Sequence, residues 1–192
     1  MIAAMDNNKG IGYNNQLLFN IPEDMAFFKE KTKDNVVIMG RRTWDSLPTK
    51  PLPNRTNIII TSKVDRIYKD NDNVIFMNID DVAAYIDYMR DDKDIYIIGG
   101  ASIYNYFICY CDKIYITRIY VSCVHVDTYF PEQIDNLKRK SYQVKQVKYK
   151  GDIIVGLDTH GYYDNHRLNP VLVHHGDYRS WYDKKTNNKG YI

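Results

Sequence analysis

The sequence predicts an α/β fold, a mixed and mostly parallel twisted sheet with helices on both faces and an antiparallel C-terminal hairpin. Three observations carry this. Short apolar runs alternate with helix-length segments up to about residue 120. Several runs are apolar without a break, as in Val36-Val37-Ile38-Met39, which marks strands covered on both faces. Two extended runs, 142–149 and 153–157, flank Lys150-Gly151-Asp152 as the arms of a hairpin do.

Taken in order, Ile2-Ala3-Ala4-Met5 is a short strand, followed by a Gly- and Asn-rich loop over 7–20. Pro22 opens a helix over 22–32, since its fixed φ suits the first helical position. Glu23 and Asp24 stand in the first turn, where the helix dipole favours acids. A strand at 36–39 leads to a short helix at 41–47, which Pro48 stops. Residues 57–61 and 74–77 are strands, and 79–89 takes helical spacing from Val82, Ala83, Ile86 and Met89. The strand 94–98 runs into Gly99-Gly100, a helix follows at 102–107, and 113–121 is again a strand. From about residue 160 aliphatic residues thin out and four of the five histidines gather. One domain is therefore expected over 1–162, with an extension of unknown role over 163–192.

A chain of 192 residues can bury a real core. With 44% hydrophobic and 26% charged residues it lacks the signature of wholesale disorder. A net charge of +2 generates no strong field, so composition gives no case for nucleic acid or a membrane as partner. Residues 1–9 do not read as a secretory leader, and no apolar run nears the roughly 20 residues of a membrane span. Cys109, Cys111 and Cys123 are odd in number and sit in apolar surroundings, which suits buried free thiols in a reducing cytoplasm (a host's, were the chain viral). No metal is expected, because His160, His166, His174 and His175 lack ligand spacing. Small molecules are the expected partners, and the chain a monomer or a homodimer.

Three clusters carry chemistry. The first is Ile11-Gly12-Tyr13-Asn14-Asn15-Gln16-Leu17-Leu18-Phe19-Asn20-Ile21-Pro22-Glu23-Asp24, a loop leading to a carboxylate on a helix. Asp24 could anchor a cationic or amidine-like ring beneath a lid, or be one more solvated first-turn acid. In the second, Gly40-Arg41-Arg42-Thr43-Trp44-Asp45-Ser46, a helix start rich in arginine would attract phosphate, or merely expose two arginines. Nearby, Arg55 could pair a carboxylate or decorate the surface. The third is Ile98-Gly99-Gly100-Ala101-Ser102-Ile103-Tyr104, where paired glycines let a ligand approach the backbone, or simply turn the chain.

In this order and spacing the clusters resemble the dihydrofolate reductase family over residues 2–131. The matching pieces are Ile11-Gly12, Asn20-Ile21-Pro22-x-Asp24, Met39-Gly40-Arg41-x-Thr43-Trp44-x-Ser46, Pro51-Leu52-Pro53-x-Arg55-x-Asn57, Ile98-Gly99-Gly100 and Asp127-Thr128-Tyr129-Phe130-Pro131. The resemblance implies reduction of 7,8-dihydrofolate to tetrahydrofolate with NADPH, in support of one-carbon metabolism and thymidylate synthesis, and sensitivity to antifolates. It implies that Asp24 is the ionisable pterin ligand, supported by the Thr117 hydroxyl, and that Phe19 occupies the catalytic lid. Ile2, Ala4, Met25, Phe28, Leu47 and Ile98 would wall the substrate, and Arg55 would clamp its glutamate α-carboxylate. On the cofactor side it implies Ala4, Ile11, Gly12, Leu17 and Thr128 near the lid. Gly40, Arg41, Arg42, Thr43 and Ser46 would meet the dinucleotide phosphates. Thr61, Ser62 and Lys63 would hold the 2′-phosphate, which favours NADPH over NADH. Ile98, Gly99, Gly100, Ala101, Ser102, Ile103 and Tyr104 would lie along the nicotinamide side, with the Gly99–Gly100 peptide cis.

A lone carboxyl among apolar walls should have a raised pKa, which helps it orient the pterin and favour its protonated form while water delivers the proton. The sequence departs from the family at Leu18-Phe19, where a Pro-Trp pair is usual. Leu there should loosen the loop, and Phe lacks an indole N–H. The tail from 163 is foreign to the family. Two other readings are a pyrimidine reductase of riboflavin synthesis and a non-catalytic binding or structural protein on a reductase scaffold. Asp24, Thr117 and Arg55 together argue against the first, and the presence of Asp24 against the second.

Overall fold

Apolar residues in the central strands alternate between two buried faces, and that alternation builds the molecule. In the computed structural model, β1 spans Ile2–Met5, β2 Gly10–Tyr13, β3 Gln16–Leu17, α1 Pro22–Thr32, β4 Val36–Gly40 and α2 Arg41–Ser46. Next come β5 (Thr56–Ile60), β6 (Tyr68–Asn71), β7 (Val74–Met77), α3 (Ile79–Met89), β8 (Ile95–Gly99) and α4 (Ala101–Phe107). Then follow β9 (Ile114–Ile119), β10 (Thr128–Tyr129), β11 (Arg139–Tyr149) and β12 (Asp152–Tyr162). The last three strands are β13 (Pro170–His175), β14 (Tyr178–Asp183) and β15 (Asn188–Tyr191). The structure describes residues 1–63, 73–89 and 92–136 with their side chains, and β6 and β11–β15 by backbone.

Five strands form one sheet in the order β6-β7-β5-β4-β8, parallel except for β6 at its edge. On one face Val36, Ile38, Ile58, Ile60 and Ile97 pack with Val82 of α3 and Ile103 and Phe107 of α4. On the other, Val37, Met39, Ile59 and Tyr96 pack with Phe27 and Phe28 of α1 and Trp44 of α2. Helices thus cover both faces, as the unbroken apolar runs predict. A second sheet, β1-β9-β12-β11, pairs β1 and β9 in parallel and the rest antiparallel. The C-terminal hairpin is present, with longer arms than the apolar runs suggest; its turn at 150–151 lies outside the described residues.

Other features differ from expectation. The segment 7–20 is not a plain loop: β2 and β3 pair as a hairpin, with Asn14 and Asn15 at φ 49° and 60° in its turn. Asparagine tolerates this left-handed backbone, and two in succession suit a tight turn. The two short strands carry too few apolar residues to announce themselves. The tail, expected only as an extension, holds the antiparallel sheet β13-β14-β15. The side chains of His160, His166, His174 and His175 lie outside the described residues. None of the three cysteines is buried: Cys109 is exposed and Cys111 and Cys123 are half-buried. Cys109 falls on a 3₁₀ turn, Ile108–Tyr110, where Ile108 instead enters the core.

Asn57 fixes the turn that enters β5. Its side chain is fully buried; Nδ2 donates to the carbonyls of Leu52 and Arg55, both at 3.0 Å, while Oδ1 accepts from Leu52 N at 3.0 Å. Asn57→Ala would strand these groups, and an unpaired buried polar group costs about 1–3 kcal/mol, so the variant should lose about 2–4 kcal/mol in urea unfolding. An unchanged midpoint would show that the turn holds without this side chain.

Candidate active site

Asp24 enters the first turn of α1 behind the buried Ile21, whose carbonyl accepts from Met25 N at 3.0 Å. One turn on, Phe27 and Phe28 project into an apolar cluster with Ile2, Leu47, Leu52, Ile98 and Tyr115. Four expected wall residues, Ile2, Phe28, Leu47 and Ile98, therefore share one surface. Met25 is half-buried on the same helix, and Ala4 joins a separate cluster. The parallel pairing of β1 with β9 sets Ala4 opposite Thr117. Thr117 is only 3% exposed, and its hydroxyl donates to the Asp24 carboxylate. Burial raises the Asp24 pKa above the ordinary carboxylate range, and the Thr117 bond partly opposes it. Tyr104 lies near enough to feel this charge. Its buried hydroxyl donates to the Ile2 carbonyl at 2.9 Å, and its pKa is raised chiefly by burial and secondly by Asp24.

Ile98 owes its position to a bulge. β4 and β8 pair Ile38 with Ile97 and then Met39 with Gly99, leaving Ile98 as the extra residue. A bulge of this kind re-aims a side chain.

Arg55 is 5% exposed. Its Nε donates to Thr32 Oγ1 at 2.8 Å and its Nη1 to the Pro53 carbonyl at 3.2 Å, with the guanidinium 5.7 Å above the Phe28 ring. Burial lowers its pKa, and Asp34 acts against this. The group is thus oriented beside a wall residue, and among the described residues no carboxylate lies within salt-bridge distance of it.

At the C-terminal ends of the parallel strands three glycines make room. A Cβ on Gly40 would stand 3.0 Å from Ile103 Cγ1 and 3.8 Å from Gly100 N, and one on Gly100 would stand 3.3 Å from Thr43 Oγ1. Gly99 has φ +124°, which side-chain-bearing residues rarely adopt, and the Gly99–Gly100 peptide is cis. Gly40 and Gly100 precede α2 and α4, and neither helix start has a side-chain cap. Backbone N–H groups of Arg41, Arg42, Ala101 and Ser102 are therefore free of capping side chains, a setting that suits a diphosphate. Both arginines are exposed, and Arg41 Nε lies 3.0 Å from Asp45 in its own helix. Ser46 Oγ turns inward to the Thr43 carbonyl. Thr61 is buried at the end of β5, accepting at Oγ1 from Lys63 N, and Ser62 and Lys63 are exposed.

The β2–β3 hairpin carries Ile11 and Gly12 on β2 and Leu17 on β3, Leu17 being 70% exposed. Thr128 of β10 pairs with Gly12. Phe19 is buried with Ile21 and Ile119, against Ala4, Leu18, Val121 and Cys123. Two residues with no role in the sequence reading hold this region. Asp127 Oδ2 accepts from Asn14 N at 2.8 Å, and its Oδ1 from Thr128 Oγ1 at 2.6 Å, which lowers its pKa. Asp6 accepts three backbone N–H groups. An aspartate just past a strand and two residues before a turn residue is the available signal for such a role.

The sequence model of the Dihydrofolate reductase family matches residues 1–154. The chain is 40% identical over 132 residues to the dihydrofolate reductase of Buchnera aphidicola subsp. Acyrthosiphon pisum (strain APS), covering 69% of this chain and 78% of the relative. It is also 40% identical to that of Heliothis virescens over 144 residues, 68% of this chain and 77% of the relative. Among solved structures it is similar to dihydrofolate reductase from Enterococcus faecalis complexed with NADP(H) and RAB-propyl, with TM-score 0.71 and 31% identity. That likeness covers 85% of this chain and 94% of the other.

The raised Asp24 pKa has a consequence for stability. Below the ordinary carboxylate value of 3.8 the group is protonated folded or unfolded and costs nothing; as pH rises through the raised folded value, the fold loses stability. Asp24→Asn should therefore melt higher than the wild type at pH 7, with the gap closing towards pH 4. A variant that melts lower at pH 7 would show that the carboxylate stabilises the fold.

Proposed function

The chain belongs to the dihydrofolate reductase family, and we propose for it a reaction organised by one carboxyl, that of Asp24. It is an NADPH-dependent oxidoreductase that converts 7,8-dihydrofolate to 5,6,7,8-tetrahydrofolate, in support of one-carbon and nucleotide metabolism. The observation that carries the proposal is Asp24, on the helix whose Phe27 and Phe28 pack with Ile2, Leu47 and Ile98, bonded to Thr117.

The substrate's C6=N5 bond must gain a hydride at C6 and a proton at N5. NADPH supplies the hydride when bound. Asp24 binds the amino group and adjacent nitrogen of the pterin, and so fixes which face of the ring is presented. Its raised pKa suits it to keep a proton to higher pH than an ordinary carboxyl does and to favour the protonated pterin, while water brings the proton to N5. Thr117 keeps the carboxyl in place, and the apolar wall excludes bulk water. Arg55, already oriented by Thr32 and Pro53, pairs the glutamate α-carboxylate.

The close approach of Gly40, Thr43 and Gly100, with uncapped N–H groups beside them, suits the dinucleotide. Thr43, Ser46, Ala101, Ser102 and Ile103 would line its diphosphate, and Thr61, Ser62 and Lys63 its 2′-phosphate. Arg42, exposed, would meet a phosphate, whereas Arg41 would first have to leave Asp45. Ala4, Ile11, Gly12, Leu17, Phe19, Tyr104 and Thr128 would close around the reacting rings. Antifolates bearing a protonated amidine-like ring bind at the same carboxyl. The reductase domain is residues 1–162, with 163–192 an extension, working in the cytoplasm as a monomer or homodimer.

Absorbance at 340 nm should fall when NADPH and dihydrofolate are both supplied, and Asp24→Asn should lose most turnover at pH 7 while binding NADPH as the wild type does. Wild-type rates should decline as pH rises through the raised Asp24 pKa, because the proton becomes scarcer; an inactive wild type from pH 5 to 8 would overturn the enzyme reading. A chain ending at residue 163 should keep measurable activity, and its failure to fold would place the tail within the domain.

A further inference from the structure

Asp6, 1% exposed, directly follows β1, which carries Ala4. Its Oδ1 accepts from Asn8 N at 2.8 Å and from Gly10 N at 2.7 Å, and its Oδ2 accepts from Cys123 N at 2.9 Å. The first two bonds close the turn from which β2 starts, a turn also tied by Asp6 N to the Gly10 carbonyl at 3.0 Å. The third reaches the segment leaving β9, where Val121 and Cys123 pack in the cluster that buries Phe19. One side chain thus joins the start of the lid hairpin to the cushion under the lid's aromatic residue. Asn7 N donating to the Val121 carbonyl runs between the same segments, and Phe130 N donating to the Lys9 carbonyl ties the turn to the end of β10.

We propose that Asp6 is a positioning residue for hydride transfer, setting the height of the lid over the cofactor site through Gly10 and over the pterin site through Cys123. The inference rests on the NADPH-dependent reading of the chain. All three groups that Asp6 meets are donors, so both carboxylate oxygens must accept. An asparagine, though the same size, would turn its NH₂ towards one of those N–H groups and push the segments apart. The carboxylate does no proton chemistry here, which separates its signature from that of Asp24.

The test is steady-state kinetics of Asp6→Asn beside the wild type, each well below its melting temperature. The NADPH KM should rise about fivefold and kcat fall about tenfold, as small misplacements of reacting groups do. The dihydrofolate KM should stay within about twofold, and the decline of rate with pH should not move, since Asp24 is intact. A folded variant with wild-type kcat and NADPH KM would overturn the inference while leaving the reading of the enzyme untouched; a wild type without turnover would overturn that reading, and this inference with it. Should Asp6→Asn not fold, hydrogen exchange on the wild type decides. NADPH should slow exchange at the Asn8, Gly10 and Cys123 amides together, and indifference of these amides to NADPH would overturn the proposal.

Discussion

A carboxyl set among hydrocarbon walls is costly to ionise, and it keeps a defined orientation only if something bonds to it. Here that something is the Thr117 hydroxyl, and much of the architecture serves to bring the two together. Asp24 comes from the first turn of a helix on one face of the five-stranded sheet, and Thr117 from the middle of β9 in the other sheet. They meet because β1 pairs with β9 in register, Ala4 against Thr117, and because β1 also supplies Ile2 to the wall on which α1 packs. A slip of one residue in that ladder would turn Thr117 away and offer Ile116 or Arg118 instead. Register in a short four-residue strand thus sets the Asp24–Thr117 bond as well as the packing.

The parts of the fold that were legible were those governed by local periodicity. Unbroken runs such as Val36-Val37-Ile38-Met39 proved to alternate between two buried clusters, and the helices at 22–32 and 79–89 fell where proline and apolar spacing put them. Of the positions that resemblance singled out, Asp24 and Thr117, nearly a hundred residues apart, are hydrogen-bonded, and Ile2, Phe28, Leu47 and Ile98 share one apolar cluster. What stayed hidden was non-local or made of polar residues. The β2–β3 hairpin has almost no apolar pattern, and the division into two sheets depends on ladder bonds that no sequence window contains. The roles of Asp6 and Asp127 leave little mark in the sequence, because their partners include backbone N–H groups whose direction only the fold determines. The cysteines misled for the opposite reason: apolar neighbours in sequence do not say which way a side chain in a short 3₁₀ turn or a loop points.

In the proposed reaction lid and carboxyl have separate tasks, one excluding water and the other orienting the substrate. In this chain they share a strand. Ile119, two residues beyond Thr117 on β9, packs directly with Phe19, and the continuation of β9 through Val121 and Cys123 completes that cluster. A displacement of the lid's aromatic ring is therefore felt on the strand that holds Asp24 in place. This bears on the Leu18-Phe19 departure. Leu18 need not loosen the lid as the loss of a proline by itself would, since its Cδ1 reaches within 3.1 Å of where a Cβ on Gly10 would stand. Contact with the lid's own stem supplies by packing some of the restraint that a pyrrolidine ring supplies through its fixed φ. Gly10 must remain without a side chain for that contact to form, so a small residue in the stem and an apolar one in the arm act as a pair, and the lid's stiffness is a property of its packing against β9.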